Sequence, residues 1–427
     1  MLQLNFFREQ KERVVVGLKK RNWSDETVTH LINEVSTLDD LRRATQMELD
    51  NTLSETNRLT KQIGDLMKSG NRTEGESLKA QVPVLKTKSK DLEAKLYQTV
   101  VKLDNILISL PNIPNDTVPF GKTADDNEVF QAWEGDLPDL GEGALPHWDI
   151  SDKYTVFDLP LGVKIAGAGF PVFRGKGAKL VRALIQFFLD EAQAAGFEEI
   201  IPPLVVNEAS ARGTGQIPDK EGQMYYVEKD DLYLIPTAEV PITNILRDEI
   251  LNEKDLPIKY CGYTQCFRRE AGSYGAHVRG LNRVHQFDKV EIVQFTHPEK
   301  SYDALMDMVE HIKGLMAKLE LPYRILKLCG GDMGSASAMT YDFEAWSAGQ
   351  KRWLEVSSVS NFETFQANRM KCRYRDGSGK TQFVHTLNGS AMALPRIIAA
   401  LLENHQTTEG VRIPKALVPY TKFEILN

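Results

Sequence analysis

Two charged segments carry the residue types best suited to chemistry in this chain. Residues 267–270 read Phe-Arg-Arg-Glu, and residues 279–291 include two arginines, a histidine, a phenylalanine and a glutamate. Arginine suits phosphate and carboxylate groups because its planar donors can bind two oxygens at once, and an aromatic ring can stack on a base. The pattern therefore favours a nucleotide-binding surface. A ladder of surface salt bridges on an exposed sheet is the alternative.

Two strands are the elements that must position these residues. Apolar and polar residues alternate at both ends of residues 265–291, which predicts antiparallel strands joined by a long, glycine-containing loop. Residues two apart share a strand face, so Arg268 and Glu270 are expected to point the same way. The same rule groups four further side chains on one face, those of Arg283, His285, Phe287 and Glu291. For His285 we expect a structural hydrogen bond rather than catalysis.

The sequence lacks the common nucleotide and hydrolase motifs. Residues 169–177 resemble a phosphate-binding loop, but they contain one residue too many and Gly177 stands where Ser or Thr would bind magnesium. Pro171 and a missing third glycine exclude a dinucleotide fingerprint. No zinc-protease, serine-hydrolase or kinase signature occurs. The four cysteines are too scattered to predict a disulfide framework or a structural metal.

Composition limits the class of protein. The chain has 427 residues, of which 42% are hydrophobic and 26% charged, with a formal net charge of −7. This is ordinary for a folded protein of two or three domains, and it excludes a generally basic nucleic-acid coat. The N-terminus turns charged after seven residues. No stretch of about 18 apolar residues follows, so we expect no signal peptide, no membrane span and a reducing, cytoplasmic location.

A long helical hairpin is predicted in the first 110 residues. Apolar residues recur at alternating steps of four and three over residues 78–110, which indicates a coiled-coil seam, and a weaker seam covers residues 49–66. Residues 69–75 form a turn by composition, so the two helices must run antiparallel. Pro83 should kink the second helix or mark its start.

The charge of the hairpin differs from that of the whole chain. Between residues 58 and 102 there are ten Lys or Arg and five Asp or Glu. This segment suits a polyanion, although a solvated helix face would have the same composition. A proline-rich linker at residues 110–116 leads into a second part, in which residues 179–195 predict a helix closed by Gly196 and residues 200–206 predict a strand.

The whole chain resembles the class II aminoacyl-tRNA synthetases in their bacterial seryl-tRNA synthetase form. Five segments in family order carry the resemblance: motif 1 (about 196–206), the serine-recognition segment Thr-Ala-Glu (237–239), motif 2 (about 265–291), the segment before motif 3 (355–367) and motif 3 (about 386–403). The N-terminal hairpin stands where this family carries its tRNA-binding arm.

The resemblance implies an α+β fold with a class II antiparallel β-sheet core flanked by helices and preceded by a long antiparallel helical hairpin. Residues 1–112 would form a helical domain with a coiled-coil arm at about 40–105, and residues 113–427 the catalytic domain. A homodimer would form seryl-adenylate from L-serine, ATP and Mg²⁺ and then serylate tRNA(Ser). Use of tRNA(Sec) stays open. No zinc is expected, because the residues expected to bind the serine amino group are not cysteine or histidine.

The resemblance also implies residue roles. The catalytic residues would be Arg268, Glu270 and Arg396. Serine would be bound by Thr237, Ala238, Glu239, Arg268, Glu291, Asn388 and Ser390. ATP would be bound by Arg268, Arg269, Glu270, Arg283, Val284, Phe287, Glu355, Val356, Ser357, Ser358 and Arg396. Mg²⁺ on the ATP phosphates would be held by Glu355 and Ser358. tRNA would be contacted by Arg58, Lys61, Lys68, Arg72, Lys79, Lys86, Lys88 and Lys90.

Two departures from the family pattern and two alternative functions accompany this interpretation. One departure is Pro83, which bears on whether the arm is straight. Pro395 stands where the family commonly has glycine before Arg396, and its fixed φ suits an early helical position. A paralogue that loads a carrier protein would typically lack the long arm. A non-catalytic RNA-binding descendant would have lost some of the charged and hydroxyl residues of the motifs, all of which are present in this sequence.

Overall fold

The structure, a computed structural model, describes residues 1–271, 275 and 278–427 of the chain. Gly272 and Ser273 of the predicted motif 2 lie outside the described residues. The chain divides into two compact units. The helical unit comprises Leu2–Lys19 and Trp23–Leu110, and the sheet unit comprises Met1, Lys20–Asn22 and Pro111–Asn427.

Two long antiparallel helices dominate the helical unit. The helices that begin in this part of the chain are α1 (Leu4–Glu9), α2 (Lys11–Lys20), α3 (Asp25–Lys68), α4 (Arg72–Lys79) and α5 (Gln81–Ser109). Ser24 caps α3 by accepting a hydrogen bond from the Thr27 N–H, and two acidic residues follow in the first turn. Both features stabilise a helix N-terminus, because they satisfy free N–H groups and oppose the positive end of the helix dipole.

The predicted seam of the hairpin is buried. Every position that the four-three pattern selects over residues 78–110 is buried or half-buried, as are its counterparts over residues 49–66. An ion pair of 2.8 Å between Lys88 of α5 and Glu48 of α3 joins the two helices. The coiled-coil prediction is therefore confirmed at the level of side-chain burial.

The turn of the hairpin is shorter than predicted. The chain leaves α3 after Lys68 and is helical again from Arg72, so only the first part of the predicted turn at 69–75 is non-helical. Pro83 is the third residue of α5, a position at which the N–H that proline lacks would have no partner within the helix. Of the two effects predicted for this proline, the structure has the second, the start of a helix.

The sheet unit contains short helices and many strands. Its described helices are α6 (His147–Tyr154), α7 (Leu159–Ile165), α8 (Gly175–Ala194), α9 (Glu208–Thr214), α10 (Glu239–Thr243), α11 (Ser301–Lys318), α12 (Phe365–Met370), α13 (Leu394–Asn404) and α14 (Val418–Thr421). Among all the helices that the structure describes, none is long and apolar enough to cross a membrane.

The described strands of this unit are two to eleven residues long. In chain order they are β1 (Glu128–Gln131), β2 (Phe157–Asp158), β3 (Val172–Phe173), β4 (Glu198–Glu199), β5 (Val205–Asn207), β6 (Tyr226–Val227), β7 (Leu232–Leu234), β8 (Ile250–Asn252), β9 (Ile258–Phe267), β10 (Gln286–Thr296), β11 (Tyr323–Lys327), β12 (Met339–Ser347), β13 (Arg352–Asn361), β14 (Arg373–Arg375), β15 (Thr381–Phe383), β16 (His385–Ala393), β17 (Val411–Arg412) and β18 (Ile425–Leu426).

A central sheet organises this unit. In the described residues its order is β1-β11-β12-β13-β16-β10-β9-β4. Neighbouring strands are antiparallel except β9 and β4, which are parallel. Helices α8, α11 and α13 pack against the sheet and contribute Phe188, Ile312 and Leu401 to one large apolar core. The predicted α+β fold, an antiparallel sheet flanked by helices, is confirmed.

The helix predicted at 179–195 is confirmed, whereas the strand predicted at 200–206 is confirmed only for its last two residues. Helix α8 covers the predicted range except its last residue, and Gly196 follows it with φ of 86°, a conformation that favours glycine. The predicted strand is broken, because β4 ends at Glu199 and β5 begins at Val205. Prolines 202 and 203 fall in the gap, and proline has no N–H to donate to a sheet.

Strand alternation does not extend as far into motif 2 as predicted. Strand β9 ends at Phe267 and β10 begins at Gln286. Arg268, Glu270, Arg283 and His285 therefore lie beyond the strands, and their grouping by strand face is wrong. Glu270 has φ of 49°, so the chain turns there instead of continuing extended.

Candidate active site

Buried polar side chains lie where β10 pairs with β16. Glu291 of β10 stands directly opposite Ser390 of β16, and Asn388 lies two residues from Ser390, opposite Val293. The Thr237 hydroxyl donates to Glu291 Oε2 at 3.0 Å. All four polar side chains are less than 10% exposed. The pairing of two strands thus brings together the carboxylate, hydroxyl and amide groups that the sequence assigned to serine.

Glu239 adds a second carboxylate to this group. It is the first residue of α10, directly after the fully buried Ala238. Gln366 donates from Nε2 to Glu239 Oε1 at 2.6 Å, and Thr386 fixes the Gln366 amide by donating to its Oε1 at 2.8 Å. Burial first, and then repulsion by Glu291, raise the pKa of Glu239 to about 7. A carboxyl group in this environment gains stability from a bound cation.

Lys289 partly balances the charge of the buried carboxylates. Its Nζ lies 2.6 Å from Glu291 Oε2, and both side chains are almost fully buried.

Asn388 of the same site has an unpaired hydrogen-bond donor. Its Nδ2 is buried and has no hydrogen-bond partner among the described residues. A buried amide without a partner costs free energy, so a ligand that accepts from it would be favoured.

Arg268 and Phe287 form the next part of the site. The Arg268 guanidinium lies 5.3 Å from the centre of the Phe287 ring, and its Nε donates to the Pro236 carbonyl at 3.3 Å. Residues 268–285, between β9 and β10, are the motif 2 loop, and across this loop Arg283 pairs with Glu270 at 2.9 Å. Two arginines and an aromatic ring therefore lie near the ends of β9 and β10. This is the group that the sequence assigned to ATP.

The other motif 2 residues differ in exposure. Val284 is 4% exposed, while the Arg269 side chain is exposed and its backbone N–H donates to the Gln223 carbonyl at 2.9 Å. His285 Nδ1 lies 3.0 Å from both the Tyr225 hydroxyl and the Arg268 carbonyl. His285 also stacks on Phe170, with ring centres 5.3 Å apart. The structural hydrogen bonding predicted for this histidine is confirmed.

A bulge brings Glu355 and Ser358 to the same face of β13. Residues three apart on a regular strand face opposite sides. Here Ser357 pairs with Phe343 and Glu355 with Glu344, so Val356 is an extra residue and the alternation shifts by one. The Ser357 hydroxyl points the other way and donates to the Ser390 carbonyl at 2.5 Å.

Asp342 lies beside this pair, opposite Ser358 on β12. Burial first, and then repulsion by Glu355, raise the pKa of Asp342 well above its ordinary value, although Ser358 donates a hydrogen bond to it. Its Oδ1 is buried with no partner in the described part of the chain. Oxygen donors of this kind suit a hard cation such as Mg²⁺. Within the described residues, no group of three or more His, Cys, Asp or Glu side chains could hold a metal by itself.

Arg396 of motif 3 contacts Asn282 in motif 2 and Glu355 in the segment before motif 3. It is the third residue of α13, after Pro395, so the early helical position predicted for that proline is confirmed. Arg396 NH1 lies 3.3 Å from Glu355 Oε2 and donates to the Glu355 carbonyl at 2.8 Å. Its Nε donates to the Asn282 carbonyl at 3.1 Å.

The predicted tRNA-contacting residues of the helical unit are all exposed. They are Arg58, Lys61, Lys68, Arg72, Lys79, Lys86, Lys88 and Lys90. Arg58 pairs with Glu55 at 2.7 Å on its own helix, and Lys88 pairs with Glu48. Exposed basic side chains on a helical hairpin form a surface that a polyanion can reach.

Sequence reasoning missed three side chains of the site. Lys289 could have been found, because it lies two residues from Glu291 on the same strand face. Gln366 lies in the segment before motif 3, but its contact with Glu239 spans 127 residues of chain. Asp342 becomes a candidate only through the register of β12 and β13.

Two family descriptions match this chain. "Seryl-tRNA synthetase N-terminal domain" matches residues 1–114, and "tRNA synthetase class II core domain (G, H, P, S and T)" matches residues 225–405. A serine–tRNA ligase of Salinibacter ruber is 48% identical over 99% of this chain and 98% of its own length. One of Methylacidiphilum infernorum is 44% identical over the full length of both.

Solved structures are also similar. The crystal structure of seryl-tRNA synthetase from Pyrococcus horikoshii complexed with ATP has a TM-score of 0.92 and 36% identity, with 100% of this chain and 99% of that chain covered. The cytoplasmic serine–tRNA ligase of Naegleria fowleri in complex with AMP has a TM-score of 0.88 and 29% identity, with the same coverage.

Proposed function

The chain belongs to the seryl-tRNA synthetase family of class II aminoacyl-tRNA synthetases, and we propose how its side chains ligate L-serine to tRNA(Ser) at the expense of ATP. The reaction has two steps. The serine carboxylate attacks the α-phosphorus of ATP and pyrophosphate leaves. A hydroxyl at the tRNA 3′ end then attacks the seryl carbonyl and AMP leaves. The buried carboxylate pair beside Arg268 is the observation that carries the proposal.

Serine binds, in this proposal, between β10, β16 and α10. Glu239 and Glu291 bind its ammonium group and accept from its hydroxyl. Thr237, Asn388 and Ser390 add hydrogen bonds, and the unpartnered Asn388 Nδ2 supports this because it needs an acceptor. Alanine is rejected because it would leave a buried acceptor of the site unpaired, whereas threonine must be excluded by shape.

Arginine side chains bring the two anionic reactants together. A carboxylate and an α-phosphate repel each other, so the first step depends on positioning and on neutralising the charge that develops. Arg268 lies close enough to Glu239 for its positive charge to oppose the rise in the Glu239 pKa. We propose that Arg268 bridges the serine carboxylate and the α-phosphate. Arg396 would bind the γ-phosphate. Phe287 would stack on the adenine, with Glu270 and Val284 along its edge and Arg269, Arg283, Val356 and Ser357 completing the ATP site.

Magnesium fits the oxygen groups of β12 and β13. Glu355 and Ser358 would hold Mg²⁺ together with the ATP phosphates, and the unpartnered Asp342 Oδ1 beside them favours the same ion. When bound, the ion would neutralise phosphate charge and orient the phosphate chain.

We also propose that the chain forms a homodimer through residues 201–205 of motif 1, which follow β4. Ile201 is 88% exposed, and Leu204 and Val205 are more than a third exposed. A cluster of exposed apolar residues on one short segment favours a protein partner, and motif 1 serves the dimer interface in this family. Sedimentation of the protein with Ile201→Asp should give a smaller particle than the unsubstituted protein.

The arm and the remaining details stay predictions. We propose that the basic residues at 40–105 bind tRNA by its shape and backbone, because RNA helices expose few base edges to side chains. The functional division at residues 112 and 113, the cytoplasmic location and the use of tRNA(Sec) also stay predictions.

Amino-acid-dependent ATP–pyrophosphate exchange tests the proposed function. We expect exchange with serine and almost none with alanine, glycine or threonine, and charging of total tRNA with serine. Exchange without charging would favour the carrier-protein paralogue. No exchange by the intact protein would contradict the proposal.

A further inference from the structure

A buried histidine–carboxylate pair lies outside the residues assigned to substrates. His147, the first residue of α6, and Glu403, near the end of α13, are fully buried, and His147 Nδ1 lies 2.7 Å from Glu403 Oε1. Glu403 also accepts from the backbone N–H groups of Gly349 and Gln350, at 3.0 and 3.2 Å.

The other nitrogen of His147 holds the motif 2 loop. The Leu281 backbone N–H donates to His147 Nε2 at 2.9 Å. Nε2 must therefore have a lone pair, so Nδ1 carries the proton that Glu403 accepts and the imidazole is neutral. Gly280 precedes Leu281 with φ of 71°, and a Cβ there would lie 2.2 Å from His147 Nε2. Only glycine permits this approach without a shift of the loop.

The next residue of the loop is held by the same helix. Arg396, seven residues before Glu403 on α13, donates to the Asn282 carbonyl at 3.1 Å. Two helical turns separate these positions. The Asn282 side chain also donates to Gln350 Oε1 at 2.9 Å, and Gln350 donates to Glu403 Oε1 at 2.9 Å. Helix α13 thus holds Leu281 indirectly, because Glu403 binds His147 and His147 binds Leu281. It holds Asn282 directly, through Arg396.

We propose that His147 and Glu403 are positioning residues for the ATP-binding step. They fix Leu281, so that the Asn282 carbonyl aligns Arg396 and the following residues, Arg283 and Val284, meet the nucleotide. The inference rests on the proposed function, because it concerns residues assigned there to ATP. The alternative is a buried pair that serves stability alone.

Two substitutions of one residue separate the two hydrogen bonds. Glutamine can place its Oε1 near the position of His147 Nε2, so His147→Gln keeps an acceptor for Leu281. Asparagine can place its amide near Nδ1, so His147→Asn keeps the donor to Glu403 and leaves the Leu281 N–H without an acceptor. His405→Asn is the matched control: this buried histidine bonds Leu319 at 3.1 Å and has no link to the loop among the described contacts.

The measurements are KM for ATP and KM for serine in pyrophosphate exchange by the full chain, with Tm beside them. We expect His147→Asn to raise KM for ATP about tenfold, because a buried backbone donor loses its partner, with KM for serine within about twofold. His147→Gln should stay closer to the unsubstituted protein. His405→Asn should change Tm only.

Several outcomes would overturn the positioning role. One is that His147→Asn and His405→Asn both lower Tm and both leave KM for ATP unchanged. If His147→Asn does not fold, Gly280→Ala tests the same contact from the loop: its added Cβ should lower Tm, and KM for ATP should rise while KM for serine stays within about twofold. An unchanged KM there also overturns it. Absence of exchange by the unsubstituted protein would instead overturn the proposed function.

Discussion

The two units of this protein place the charged groups assigned to their substrates in opposite environments. In the helical unit the eight basic residues assigned to tRNA are exposed, and the polar seam residues Thr52 and Thr99 bond to carbonyls of their own helices. In the sheet unit Glu239, Lys289 and Glu291 are buried and interact with one another. Exposed charges act almost independently because water screens them, whereas buried charges depend on each partner. Losses should therefore be gradual in the arm and abrupt in the site.

Removal of residues 40–105 should separate the activities of the two units by the largest effect. We expect tRNA charging to fall to background while serine-dependent pyrophosphate exchange stays near normal, because the arm would bind tRNA and the sheet unit holds the residues assigned to serine and ATP. Both activities are measured on the same preparation. Equal loss of the two would contradict the division between the units.

A single substitution in the site should have nearly as large an effect. Arg268→Ala should lower kcat/KM in pyrophosphate exchange by about 10²–10³-fold, because it removes a preorganised donor from the developing charge. Arg412→Ala is a control, since Arg412 pairs with Glu320 and its described side-chain contacts involve none of the assigned residues. Near-normal exchange by Arg268→Ala would contradict the site assignment.

The pH dependence of serine binding should sharpen the contrast. The pKa of Glu239 is raised to about 7. In the site without serine, its carboxyl group is therefore protonated below that pH and ionised above it. The serine ammonium prefers the ionised form. KM for serine should therefore be flat above pH 7 and rise by up to about tenfold per pH unit below it. Glu239→Gln should raise KM and remove this dependence. A flat profile for the unsubstituted protein from pH 6 to 8 would count against the role of Glu239.

The smallest effect is expected for single substitutions in the arm. Lys61→Ala should raise KM for tRNA by roughly two- to fivefold and weaken its dependence on salt, because one phosphate contact is lost. Exchange should not change. Lys254→Ala, an exposed lysine of the sheet unit, is the control. A loss above a hundredfold from Lys61 alone would show that arm charges do not act independently.

The sequence by itself determined the features that depend on local pattern. Heptad spacing predicted the hairpin, Gly196 marked the end of a helix, and the motif segments named most of the residues now found together in the sheet unit. These predictions held because burial of an apolar stripe and the backbone limits of glycine act within a few turns of chain. The strand predictions failed at Glu270 and at Pro202, where a left-handed turn and a missing donor override the pattern.

Only the tertiary structure decided which distant groups meet. The bulge at Val356 places Glu355 beside Ser358, strand register places Asp342 opposite Ser358, and Gln366 reaches Glu239 across 127 residues. His147 showed no partner spacing in the sequence, yet it lies between Glu403 and Leu281. The physical reason is that buried polar groups must find partners, and those partners are set by packing rather than by neighbours in the chain.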